Sequence, residues 1–525
     1  MLKQTFLTIS LALCLCGSAA AQKNPYRLQH LEPSGPNVNS NSVSQFSAGS
    51  TAKFWLGTGA GLNATTDGGL TFFKVDEFPK FNDNGIYALD VKGNTVWAST
   101  AFVAEKDGDF IPTGDGMIYS LNGGSSWTFV PQPLDQRGDT VATYGANQLS
   151  ALDVIVPEQN VIYKLAIGQT AGSVWTSQWA GGIRHTTNNG QSWQRVPLPP
   201  SGRQSIAPTD VLNFSIDPRA NNSANTANGF SVLVASDASV WAGTTEGVCK
   251  ADSGDYRQFP SWTKYNRQFS PKPDGSPTGI SGNWITNIKE QPRVLPGDSL
   301  TIWLASWRAS DNAEYFAASY TTNGGRTWQT ALDGEKLYDF SFDGNTVYAA
   351  GVNGLFISAD KGKTWINKKS IVDRIDSRKF INPRTEFYAV QVEPFSTGKR
   401  LWLGTGDGTA VSTDGGNTWN ILRAEKPVDN TVRTYSYPNP FSPKLDGLVR
   451  LRYKLDAASS VTVRVYDFSM SLVKTVQQNV SRAGGEQEES WNGRTEFGGR
   501  VANGVYFYSV DISGDKKLWG KVLVL

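Results

Sequence analysis

The eight-residue stretch Ser412-Thr413-Asp414-Gly415-Gly416-Asn417-Thr418-Trp419 recurs along this chain, and nothing else limits the fold as strongly. The other copies run Thr65 to Phe72, Ser120 to Trp127, Thr186 to Trp193, Thr321 to Trp328 and Ser358 to Trp365. Their third residues are Asp67, Asn122, Asn188, Asn323, Asp360 and Asp414. An Asp or Asn there accepts hydrogen bonds from backbone N–H groups a few residues on and fixes a tight turn. Asn keeps the acceptor oxygen and loses the charge, so the pattern speaks for a turn rather than an acid or a metal ligand. Gly416 and its equivalents supply positive φ. Trp419 and its equivalents open the next strand with a large apolar body to bury. Each copy is therefore a hairpin with a locked turn and an aromatic anchor.

A strand precedes each turn: Phe54-Trp55-Leu56, Val96-Trp97-Ala98, Val174-Trp175-Thr176, Ile302-Trp303-Leu304, Val347-Tyr348-Ala349 and Leu401-Trp402-Leu403. A seventh, Val240-Trp241-Ala242, leads into Glu246 to Gly254, a degenerate turn. Seven repeats that cannot bury their faces alone must close on one another. Gly and Trp are abundant (53 and 17) and Met and His scarce (3 and 2), which suits short strands and tight turns. The fold class is all-β: a seven-bladed β-propeller followed by a small Ig-like β-sandwich. Blades are expected at about 41–75, 84–131, 148–196, 210–265, 284–331, 337–368 and 387–422.

These motifs resemble the Asp-box (BNR) repeats of sialidases, sortilin-type receptors, xyloglucanases and photosystem II assembly-factor propellers. The resemblance implies the propeller and puts the repeated turn on the blade periphery, away from the ligand face. It does not carry a function, because fold and function are separable.

Domains are expected at 1–21, 22–425, 426–436 and 437–525. Lys3 precedes the apolar run Phe6 to Cys16 and then Gly17-Ser18-Ala19-Ala20-Ala21, the form of a secretory signal peptide. Cleavage after Ala21 leaves Cys249 alone, so no internal disulfide forms, and a buried structural thiol is expected there. Gln22 to Ser40 is a lead-in that could add an outer strand to the ring. Residues 426–436 form a linker. Beyond it, alternating strands such as Val461 to Tyr466 and Val505 to Ile512 suggest the sandwich. That segment resembles the Ig-like module of flagellar hook-capping proteins and the sorting tails of type IX secretion substrates. The matching residues include Pro438, Asn439, Pro440, Phe441, Gly504 and Tyr506. The resemblance implies Sec export, then passage to the outer-membrane surface or the medium, with the secretion machinery as a partner of this domain.

A net charge of +2 gives no reason to expect nucleic acid, and no transmembrane segment remains in the mature chain. No cofactor is called for. Asp107, Asp109 and Asp115 are the one set that could hold Ca²⁺, against a solvated acidic loop. The aromatic stretch Trp262, Tyr265 and Phe269 could stack on sugars at a ring mouth, against simple packing over a blade edge. Sialidase-type propellers need an arginine cluster, a Tyr–Glu pair and an Asp acid; the string around Arg184 and His185 lies in a blade strand, and no catalytic residue is identified. The leading expectation is a non-catalytic binder of a glycan or protein on the ring face. A sialidase- or xyloglucanase-like glycoside hydrolase is the alternative, as is an assembly factor.

Overall fold

The computed structural model describes residues 37–525 except 49–52, 76–83, 220–225, 277, 296, 396–397, 426–427, 429–431 and 514–516. The signal-peptide reading, lead-in residues 22–36 and most of the linker's first half lie outside the described residues.

Seven sheets, each with strands in chain order, make the propeller. The innermost strands are Val43–Ala48, Gly85–Lys92, Ile162–Ile167, Gly229–Val234, Trp284–Gln291, Leu337–Asp343 and Phe387–Phe395. Each contacts the next, and the last contacts the first, so the ring is closed with seven blades. Blade four gains a fifth strand, Ser205–Ile206. Residues 37–42 form no strand. Instead Asn41 seals the ring by side-chain and backbone bonds: Ala424 N to its Oδ1 (2.7 Å) and Gly408 N to its carbonyl (2.6 Å).

Three of the repeated tryptophans explain how blades lock. Trp55 of blade one meets Trp127 of blade two edge-on at 5.6 Å. Trp241 meets Trp328 at 6.2 Å and Trp303 meets Trp365 at 6.3 Å in the same way, each from one blade to the next. The turn glycine lies against a ring of the preceding blade: Trp55 on Gly124, Trp303 on Gly362 and, beside the Trp241–Trp328 pair, Tyr265 on Gly325. A Cβ on Gly124 would stand 2.6 Å from Trp55, and one on Gly325 2.6 Å from Tyr265. Glycine is thus required twice, for φ of 82° at Gly124 and for the ring laid on it.

The chain divides into two compact units. One runs through Lys369, with Glu386–Asn417 and Leu422–Ala424. The other comprises Ser370–Thr385, Thr418–Ile421 and Glu425–Leu525. The second is a sandwich of a three-stranded sheet (Thr434–Tyr437, Val449–Leu455, Gly485–Trp491) and a four-stranded one (Leu472–Arg482, Ser459–Tyr466, Gly504–Ile512, Lys517–Val524). Alternate residues Val461, Val463 and Val465 face a core with Phe441, Trp491 and Tyr508. Residues 370–385, which precede the seventh blade, bind this sandwich: Arg378 donates to Gln487 (3.1 Å) and Arg384 to the Pro443 carbonyl (2.8 Å).

Gly124→Ala and Gly108→Ala separate the two demands on glycine. Both positions hold similar φ (82° and 85°), but nothing stands within 4 Å of a Cβ at 108. Each substitution costs about 1–2 kcal/mol of backbone strain. Gly124→Ala should cost about 1–3 kcal/mol more through collision with Trp55. Denaturant midpoints check this; equal shifts would remove the packing argument.

Candidate functional site

The turn residues hold the geometry their chemistry suits. Asp67 Oδ1 accepts from Leu70 N and Thr71 N (both 2.9 Å), and the Thr65 hydroxyl accepts Gly69 N (2.9 Å). Burial alone would raise the Asp67 carboxyl, but the bonds from Thr71, Thr65 and Leu70 hold it at about 2. The same kind of bonds hold Asp360 well below the usual carboxylate range. Where Asn stands, polarity reverses at one atom. Asn122 Nδ2 donates to Ser126 Oγ (2.9 Å), and Asn188 and Asn323 do the same to Ser192 and Thr327. Asp414 Oδ1 accepts Asn417 N (3.0 Å), and Gly416 N donates to Ser412 Oγ (2.8 Å). Trp419 is buried and falls in the sandwich unit, where its carbonyl accepts Arg374 N (2.8 Å).

Blade four has no such turn. After Gly247–Ala251 the chain makes a short 3-10 helix, Gly254–Tyr256, and Asp255 points back into blade three. Its Oδ1 accepts Ser173 Oγ (2.7 Å) and Trp175 Nε1 (2.8 Å), and its Oδ2 accepts Gln169 N. His185 Nε2 lies 3.0 Å from Ser173 Oγ, and its ring stacks on Trp175 at 3.9 Å. Ser, His and Asp meet here in a buried knot, with Ser rather than His in the centre, so no base is placed between nucleophile and carboxylate. The knot replaces the missing turn as the lock between blades. Neighbouring Arg184 is bound in two-pronged fashion by Asp135 (2.8 Å). Burial pushes the Cys249 thiol up to about 12, which suits a structural residue.

Strand alternation decides where a ligand face can lie. In each blade the first-to-second and third-to-fourth turns share one end of the ring. The second-to-third turns and the inter-blade connections share the other. Nearly all the long excursions fall at this second end: the hairpin through 102–113, and residues 131–161, 197–228, 266–283 and 308–316. Asp107 and Asp109 sit at the tip of that hairpin. Asp115 lies six residues along its strand from Asp109, roughly 20 Å away, and accepts Asn84 Nδ2. The three do not converge, and no group of three or more His, Cys, Asp or Glu among the described residues could hold a metal.

Every first strand opens at this second end, and every one carries a bulge at its second or third residue. The extra residues are Ser44, Tyr87, Tyr163, Phe230, Thr286, Tyr338 and Tyr388. A bulge re-aims its side chain. Five of these seven are aromatic, and Trp284 and Trp307 fill the gap at Thr286. The result is an unbroken arc of rings across blades three to seven. Tyr163 lies 5.5 Å from Phe230, Phe230 5.1 Å from Trp284, and Trp284 5.3 Å from Trp307. Trp307 then lies 5.5 Å from Tyr338, and Tyr338 5.8 Å from Tyr388. Phe230, Trp307 and Tyr338 are buried; Tyr87, Tyr163, Trp284 and Tyr388 are half-buried. Lys336 Nζ sits 4.2 Å over Trp307, and Tyr338 OH donates to Glu386 (2.7 Å). Below the arc the first strands turn polar. Lys164 of blade three reaches Gln45 of blade one (2.9 Å), and Asp90, raised by burial, accepts Ile167 N (2.8 Å).

The sequence offered Trp262, Tyr265 and Phe269 as a sugar platform only as the lesser reading, beside packing over a blade edge. Trp262 and Tyr265 are strand residues packed inside and between blades, and Phe269 is partly exposed beside them. The signal for the arc was present: aligning the repeats on their first strands puts an aromatic at the same place in five of them.

In the sandwich, Pro438 to Phe441 pins the last strand. Asn439 Oδ1 accepts Leu523 N (2.9 Å), Phe441 N donates to the Leu523 carbonyl (2.8 Å), and Phe441 is buried near Trp491. Gly504 opens the strand that carries Tyr506, whose ring also lies on Trp491 at 5.6 Å.

Residues 443–516 match the family model of the FlgD Ig-like domain. No curated protein matches the chain. Among solved structures it is similar to YCF48 bound to D1 peptide, at 16% identity over 72% of this chain and 97% of that one (TM-score 0.42). A GH74 enzyme of Niastella koreensis matches at 14% over 93% and 74% (TM-score 0.46). PorZ of Porphyromonas gingivalis, described as a surface component of the type-IX secretion system, matches at 12% over 92% and 70% (TM-score 0.33).

The knot around His185 predicts a pH signature. Burial lowers the His185 imidazole to about 4, so it stays neutral in the fold while an unfolded chain takes up a proton near 6.5. Stability is full above pH 6.5 and falls toward pH 4. His185→Gln should flatten this decline, by about 2–3 kcal/mol across the interval. Urea midpoints at pH 7 and pH 4.5 measure it; an unchanged slope would contradict the neutral histidine.

Proposed function

We propose that this is a secreted or surface-held bacterial propeller that binds a glycan on its ring mouth without catalysis. One observation carries the reading: the aromatic arc at the mouth that bears most of the excursions. Tyr and Trp present an apolar face and a polar tip, the combination that packs a sugar ring while bonding its hydroxyls. Lys336 and Glu386 add polar groups beside the rings, and the polar channel below can take hydroxyls deeper. Export through the C-terminal domain is supported by the N-terminal apolar run, the FlgD Ig-like match and the Pro438–Phe441 pin with its buried Phe441.

The test is binding of the full chain to a panel of polysaccharides and sialylated glycans, with released products scored alongside. Tyr163→Ala and Tyr388→Ala should each weaken binding about tenfold, near the ~1.4 kcal/mol scale of one aromatic contact. Binding that both variants leave unchanged would sink the site. Glycoside hydrolysis draws on one feature, the Tyr338–Glu386 pair, and would be favoured by released sugar that Glu386→Gln abolishes. For export, deletion of Tyr437 to Leu525 should trap the protein inside the cell envelope. Unchanged appearance in the medium or on the surface would remove the sorting role.

A further inference from the structure

A second site lies in the sandwich unit. A cleft of about 410 Å³ is lined by Arg384, Lys474, Trp491, Asn492, Arg494 and Arg500, among others, and no carboxylate residue lines it. Its four cations come from three separate parts of the chain: residues 382–384, the strand Leu472–Arg482, and the segment after Trp491.

The cations are held in place largely by neutral partners, so little opposite charge offsets them. Arg384 donates to the carbonyls of Pro443 (2.8 Å) and Lys444 (3.2 Å), and lies over Gly447, where a Cβ would stand 2.6 Å from its Cδ. Arg494 donates to the Gly498 carbonyl (2.6 Å), while Trp491 Nε1 donates to the Arg494 carbonyl (2.9 Å). Lys474 alone has an acidic neighbour, Glu496 at 3.2 Å, and that carboxylate also accepts Thr475 N. The Arg500 guanidinium has no hydrogen-bond or ion-pair partner among the described residues. Its main chain bridges to that of Arg494, so the two guanidinium stems start side by side. Four like charges around one hollow repel one another, and an anion seated among them relieves the repulsion.

We infer that this cleft binds a phosphate-bearing group. Guanidinium forks match the paired oxygens of phosphate, and Arg384, Arg494 and Arg500 supply three. Lys474 adds a point charge, and Asn492 and Ser490 add neutral polar groups at the wall. The volume exceeds what one phosphate fills and falls in the range of small-ligand pockets, so the group's carrier enters as well. Two carriers share this chemistry, a phosphorylated sugar and a phospholipid headgroup. Neither depends on the propeller's ring mouth.

Calorimetric titration of the full chain with inorganic pyrophosphate, glucose 6-phosphate and glucose, and flotation with phosphatidylglycerol against phosphatidylcholine vesicles, test the inference. Pyrophosphate and one carrier should bind, and glucose should not. Binding should fall at least tenfold in Arg494→Ala/Arg500→Ala and weaken with rising salt. Arg500→Ala alone removes no side-chain bond among the described residues, so it should keep the unfolding midpoint while losing affinity about threefold or more. Sugar phosphate binding without flotation identifies a sugar carrier, and flotation without it a lipid. Absence of binding by every phosphate at millimolar concentration, or binding that Arg500→Ala and the double variant leave intact, overturns the inference.

Discussion

An aromatic ring laid on a glycine that belongs to the next blade is the contact on which this propeller depends. It couples three demands. The turn needs positive φ, the ring needs a surface without a Cβ, and the Asp or Asn must hold the turn closed so that the surface stays flat. The contact recurs at five of the seven junctions, on Gly69, Gly124, Gly190, Gly325 and Gly362. Blade one takes the same contact from blade seven, where Trp402 lies 3.1 Å from the Cβ position of Gly69. No strand is exchanged at that seam among the described residues. Packing and the bonds of Asn41 close it. Loss of one such tryptophan would cost about 3–5 kcal/mol, a large share of the marginal stability of any fold.

The lock also distinguishes the two ends of the ring. Its turns occupy one end of the ring and leave little freedom there. Most of the insertions, and every first-strand bulge, lie at the other. Bulges on all seven first strands are a costly regularity unless their side chains do something together, and five of the seven carry aromatic rings. Blade four shows what the scaffold requires. Having lost the turn, it recovers the lock with a buried carboxylate on Trp175 and Ser173, at the price of a desolvated Asp–Ser–His knot in which Ser173, not His185, sits in the centre.

Much of this was legible in the sequence, for a physical reason. Asp-x-Gly-x-Thr-Trp is a local code: its residues bond within five positions of one another, so reading it needs no tertiary knowledge. The Ig-like domain was legible in the same way, from Val461, Val463 and Val465 alternating toward a core. The arc was not, because Tyr163 and Phe230 meet only once the ring closes, and a bulge breaks the very alternation used to find strands. Trp262 and Tyr265 were open to two readings from the sequence, sugar stacking or packing over a blade, and register places them in the fourth strand of a blade. The placement of residues 370–385 with the sandwich was equally hidden, since Arg378 and Gln487 lie over a hundred positions apart.

Hydrogen exchange of the full chain across a denaturant series tests the central claim, that the inter-blade locks make the ring a single cooperative body. Amides of the second strands, at Leu56, Ala98, Ala242, Leu304, Ala349 and Leu403, should be comparably protected and should lose protection at one denaturant concentration. Blades that open one after another, with the seam between blades one and seven yielding well before the rest, would contradict it.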